Sequence, residues 1–169
     1  MKNIVLIAGN HDFACEVSIF EETLNEALLR KEILNRVHYL NRSSVIIEGI
    51  KFYGTPYSDT RGWAFYTNED YTFYIPEPNT DVMLVHQAPN LGGLGTTSLN
   101  GKEHNFGSDL LLNAIQEVTP SYLFCGHIHG GVHIPVTRTF ENGETCTCVN
   151  TSIKDEQYHS TYKPFLITI

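Results

Sequence analysis

A chain of 169 residues is long enough for one domain that buries about two-thirds of the surface its unfolded form exposes, and nine Phe with nine Tyr supply bulky core material that argues against disorder. Nineteen acidic against eleven basic residues give a net charge of −8, which leaves no broad basic surface for a long nucleic acid and suits either solubility or a cation site. No apolar run approaches ~18 residues, so no membrane span is expected, and a cytoplasmic protein is the reading.

Asn3 to Ala8 is apolar and β-branched and is stopped by Gly9, which predicts a buried strand. Glu21 to Val37 places Leu24, Leu28, Ile33 and Val37 at helical spacing with charges between them, an amphipathic helix. Ser44 to Tyr53 predicts a hairpin turning at Glu48-Gly49. Tyr57 to Asn79 has no clean period and reads as a long ordered loop around Trp63, Phe65 and Tyr66, whose aromatics either pack or wall a substrate pocket.

Asp81 to Val85 is the next strand and delivers His86. Gln87 to Phe106, with Gly92, Gly93, Gly95 and Gly101, reads as a flexible loop. Ser108 is the expected N-cap of a helix running to about Val118, with an N-terminus suited to an anion. Ser121 to Cys125 is a strand that delivers Gly126-His127-Ile128-His129-Gly130-Gly131; strands at Val132 to Phe140, Thr145 to Asn150 and Pro164 to Ile169 complete the chain. Cys15, Cys125, Cys146 and Cys148 lack CxxC spacing and read as free thiols of a reducing compartment.

Three times a short apolar strand ends on polar ligands: Asn10 with His11, then His86, then His127 with His129. In layered α/β folds such strand ends share one crevice. Imidazoles with an amide oxygen suit Mn, Fe, Zn or Ni rather than Ca or Mg. His38, His104, His133 and His159 read instead as structural histidines. Asp12 either orients the ring of His11 or caps the following turn.

Gly9-Asn10-His11-Asp12, Val85-His86-Gln87-Ala88-Pro89 and Gly126-His127-Ile128-His129-Gly130, in this order, resemble the later motifs of the calcineurin-like metallophosphoesterases. Gly54-Thr55-Pro56, Gly62-Trp63-Ala64-Phe65, Gly107-Ser108 and Val149-Asn150-Thr151-Ser152 resemble one branch, the small cyclic-nucleotide-type phosphodiesterases related to the metallophosphoesterase-domain proteins. The resemblance implies an α/β fold, a β-sandwich flanked by helices, and a single domain over 1–169. It implies two divalent metals with Asn10, His86 and His127 on one and His129 on the other. His11 would act on the phosphate or the leaving oxygen, with Asp12 as the second catalytic candidate. Trp63, Gly93 and Ser108 are the candidate substrate contacts.

The family pattern opens with Asp-X-His and Gly-Asp-X-X-Asp motifs, and this sequence starts at the third motif. The expectation is therefore a domain without its first strands and without the bridging Asp. Its first strand would have an open edge suited to a second copy or another partner chain. The function implied is metal-dependent hydrolysis of a small phosphate ester. The alternative is a non-catalytic or degenerate metal-binding or assembly module, or half of a split enzyme completed by another chain.

Overall fold

The computed structural model describes residues 3–16, 36–67, 76 and 78–169. Its centre is a six-stranded sheet in the order β3-β4-β5-β8-β10-β9, formed by β3 (Ser43–Ile47), β4 (Ile50–Thr55), β5 (Val82–Val85), β8 (Tyr122–Cys125), β9 (Val136–Thr139) and β10 (Thr145–Asn150). The four inner strands run parallel, while β3 and β9 close the two edges antiparallel. The near-continuous apolar runs Val82-Met83-Leu84-Val85 and Tyr122-Leu123-Phe124-Cys125 suit inner parallel strands: Met83, Val85, Leu123 and Cys125 are buried on one face, while Leu84, Tyr122 and Phe124 on the other are half-buried.

One face of the sheet packs on α2 (Asp109–Val118), which among the described residues follows the single helical turn α1 (Phe13–Glu16). Leu111, Ala114 and Ile115 of α2 meet Met83, Val85, Leu123 and Cys125 in one fully buried cluster. Each buried Leu, Ile or Met stabilises the fold by roughly 1.5–3 kcal/mol. The four cysteines are unpaired, and Cys146 and Cys148 lie on one face of β10 with their sulfurs 3.6 Å apart.

A smaller parallel ladder joins β1 (Ile4–Leu6) to β2 (Val37–Tyr39). Ile7 and Leu40, just past these strands, close over Gly54 of β4. A Cβ on Gly54 would stand 2.5 Å from Leu40 Cβ, so only glycine lets the two layers approach there. Among the described residues, β2 is the one strand that pairs with β1.

Several elements differ from the sequence expectation. Of the helix expected over 21–37, residues 21–35 lie outside the described residues, and Val37 heads strand β2 because its backbone bonds are taken by the ladder with Ile4. The expected hairpin is present, turning at Glu48 (φ 52°) and Gly49 (φ 88°). The loop expected over 87–106 contains a second hairpin, β6 (Thr96–Leu99) and β7 (Lys102–Asn105), turning at Asn100 (φ 53°) and Gly101 (φ 73°).

The strand expected from Val132 is confined to Val136–Thr139: Val132 N–H is taken by Gly93 O at 3.0 Å, and the His133 ring is tied to His129 O. The closing strand expected at Pro164–Ile169 is not formed. β3 and β9 already occupy the sheet edges, and Phe165 packs on the ring of Phe124 while Leu166 stays exposed. Among the described residues no helix is long and apolar enough to cross a membrane.

Candidate metal centre

Asn10, His86 and the Gly126 to Gly131 loop follow the carboxyl ends of β1, β5 and β8, and the parallel ladder places the last two side by side. Beyond the strands the ladder continues: His86 N–H donates to Thr55 O at 3.1 Å, and Gly126 N–H donates to His86 O at 3.2 Å. The Gly9 backbone approaches the His86 ring closely; a Cβ there would stand 2.7 Å from His86 Cε1. That approach puts Asn10 Oδ1 2.8 Å from His86 Nε2.

His127 takes a left-handed backbone (φ 66°), and Ile128 N–H donates to Gly126 O across it at 2.7 Å. Such a tight γ-turn around a non-glycine residue is strained, and strain of this kind gathers at functional sites. The turn sets the His127 ring 4.6 Å from the His86 ring, and two residues on His129 Nδ1–H donates to Asp155 O at 3.1 Å. A carbonyl only accepts, so Nε2 is the nitrogen of His129 that carries a free lone pair.

Asn150 holds this loop from beneath. Its buried amide donates to Ile128 O at 2.7 Å and to Leu94 O at 3.0 Å. Gly131 fits under the loop only because it lacks a side chain, since a Cβ would collide with Leu94 O.

The histidines are gathered closely enough to act on one another. Burial first, then the neighbouring His127, His11 and His129, push His86 down to about 3. Burial, then His129 and His11, push His127 down to about 4. Both rings are therefore neutral at pH 7 and present lone pairs rather than charge.

Two donors of one ion, each about 2.0–2.1 Å from it, stand roughly 3 Å apart. In the metal-free chain the 2.8 Å contact is a hydrogen bond, His86 Nε2–H donating to Asn10 Oδ1, and its length also matches that requirement once the ring proton sits on Nδ1, with the neutral His127 ring alongside. Among the described residues, however, no three His, Cys, Asp or Glu side chains converge on one point. The fit is that of a partial donor set with an amide in it.

The other expected site residues take varied places. The exposed His11 ring packs on Trp63, ring centres 4.3 Å apart, and Trp63, 41 % exposed, also leans towards Phe13. Asp12 accepts from Gly9 N–H at 2.7 Å, which makes it a brace of its own turn rather than a partner of the His11 ring. Gly93 borders an open groove of about 660 Å³ with Thr97, Gly130 and Val132. Ser108 is buried and its hydroxyl accepts from Leu111 N–H at 3.1 Å; as the N-cap of α2 it has that oxygen committed and is not gathered with the histidines.

Two contacts were not legible in advance. Thr60 Oγ1 stands 2.8 Å from His127 Nε2, and Asp155 touches His129 through its backbone alone. Neither residue belongs to a recognisable spacing.

Residues 1–131 match the family described as calcineurin-like phosphoesterase. UPF0046 protein K07C11.7 of Caenorhabditis elegans is 33% identical over 157 residues, covering 86% of this chain and 52% of its own length. Metallophosphoesterase domain-containing protein 1 of Homo sapiens is 28% identical over 167 residues, covering 85% and 50%. A solved crystal structure superposes with a TM-score of 0.62 at 17% identity over 88% of this chain and 56% of that one, a likeness of fold. The chain thus spans about half the length of the curated relatives it matches.

Proposed function

The chain belongs to the calcineurin-like phosphoesterase family, and from that premise we propose that its strand-end residues hold a divalent transition metal for hydrolysis of a small phosphate ester, a diester or a monoester. Asn10 Oδ1, His86 Nε2 with its ring proton moved to Nδ1, and one nitrogen of His127 would hold one ion, and His129 Nε2 a second. The supporting observation is the 2.8 Å approach of Asn10 Oδ1 to His86 Nε2. Mn, Fe, Zn and Ni all suit imidazole with amide oxygen. When bound, the ion would supply Lewis-acid polarisation of a phosphoryl oxygen and lower the pKa of a water.

The chain's own groups do the rest. His11, exposed beside the buried pair, would hold a proton at the leaving oxygen, and Trp63 would fix the plane of that ring. The groove bordered by Gly93, Thr97, Gly130 and Val132 would take the remainder of the ester. The unpaired cysteines fit work in a reducing cytoplasm.

A second reading is a non-catalytic metal-binding or assembly module, or one part of a composite enzyme. It is favoured by one observation: among the described residues no three His, Cys, Asp or Glu side chains come together as a metal-holding group. Hydrolysis of bis(p-nitrophenyl) phosphate and p-nitrophenyl phosphate in Mn²⁺, with His86→Ala alongside, separates the two. Turnover that falls at least ~10²-fold in the variant supports the phosphoesterase, whereas ion binding without turnover above the variant's level selects the module.

A further inference from the structure

The loop from Thr60 to Phe65 touches three of the site residues at once. Ala64 N–H donates to Asn10 O at 3.1 Å, the Trp63 ring covers His11, and Thr60 Oγ1 lies 2.8 Å from His127 Nε2. Trp63 N–H also donates back to Thr60 O at 3.3 Å, so the threonine and the tryptophan belong to one tight turn.

The Thr60 contact bears on which nitrogen His127 can offer. A hydroxyl either donates or accepts. If Thr60 donated to Nε2, the ring proton would sit on Nδ1 and His127 would have no free lone pair. If Nε2–H donates to Thr60 Oγ1, the lone pair of Nδ1 is free. We propose that Thr60 is a positioning residue that accepts from His127 Nε2–H and thereby commits Nδ1 to the metal, the reverse of His129, whose Nδ1–H is held by Asp155 O and which offers Nε2. This rests on the reading of His127 as a ligand given above.

The two histidines of the Gly126 to Gly130 segment then differ in the nitrogen they present for a stated reason. The γ-turn at His127 alone would leave its ring free to rotate about Cβ, and the half-buried Thr60 fixes that rotation from the opposite wall. Outer partners of this kind orient a ligand and hold one tautomer, and their removal costs ~10–100-fold in metal affinity.

The test is long-range ¹H–¹⁵N correlation on the ¹⁵N-labelled metal-free chain, with Mn²⁺ titrations of wild type, Thr60→Val and Thr60→Ser. The expected wild-type spectrum has His127 as the Nε2–H form and His129 as the Nδ1–H form. Thr60→Val should give a tautomer mixture at His127 with His129 unchanged, and weaken Mn²⁺ by ~10–100-fold, while Thr60→Ser restores both. An Nδ1–H form of His127 in the wild type overturns the positioning role whatever the ion does. So does a Thr60→Val variant with unchanged tautomer and affinity. A wild-type chain that takes no Mn²⁺ overturns the ligand reading instead, and its His127 tautomer still decides the Thr60 bond.

Discussion

Asn10 Oδ1 and His86 Nε2 meet at 2.8 Å although 76 positions separate the two residues. The approach depends on Gly9, whose backbone lies against the His86 ring. Loss of either partner should empty the centre: His86→Ala is expected to lower Mn²⁺ affinity at least ~10²-fold, more than an outer partner contributes, and Asn10→Ala to do so by a similar or smaller factor. Calorimetric titration on the folded variants checks both.

Gly9→Ala should reproduce much of that defect without removing a ligand. The new methyl would stand 2.7 Å from His86 Cε1, so ring or loop has to move. The expected cost is about 1–3 kcal/mol of stability together with weakened metal binding. A variant as stable as wild type, with unchanged affinity, would show that the loop does not hold the ring.

Acid should destabilise the metal-free chain through its buried imidazoles. Above the ordinary value of 6.5 both states are neutral at these positions and nothing is lost. Between 6.5 and the depressed folded values, about 3 for His86 and about 4 for His127, the unfolded chain takes up protons that the folded one refuses. Stability therefore falls as pH drops, by about 2 kcal/mol per ring at pH 5. Urea midpoints at pH 7.5 and pH 5 measure it, and His86→Gln should remove part of the difference.

Much of this centre is legible in the sequence because each strand is a short apolar run stopped by its ligand: Val85 by His86, Cys125 by Gly126-His127. The turn at Glu48-Gly49 and the cap at Ser108 follow from local chemistry and form as expected. The hairpin over Thr96 to Asn105 escapes detection because Lys102 to Asn105 is polar and exposed on both faces and gives no alternation. The tail from Pro164 looks strand-like by composition, yet Phe165 finds its partner on the sheet face at Phe124 and not in a ladder. Thr60 is invisible for a different reason: its role exists only once the fold brings it across 67 positions to His127.

Ser108→Ala separates structure from substrate binding. With the hydroxyl bound to Leu111 N–H, its loss should lower stability by about 1 kcal/mol and leave metal affinity and KM for the aryl phosphates unchanged. A raised KM with unaltered stability would instead assign Ser108 to the ester.

The most direct measurement is metal content per chain, by elemental analysis after incubation with Mn²⁺ and removal of loosely held ions, for wild type, His86→Ala and His129→Ala. At least one equivalent in the wild type, lost with His86→Ala, is the expected result. A further equivalent lost with His129→Ala would complete a two-metal centre. No retained ion in the wild type, or an ion retained undiminished in His86→Ala, would contradict a metal centre built on the Asn10 and His86 pair.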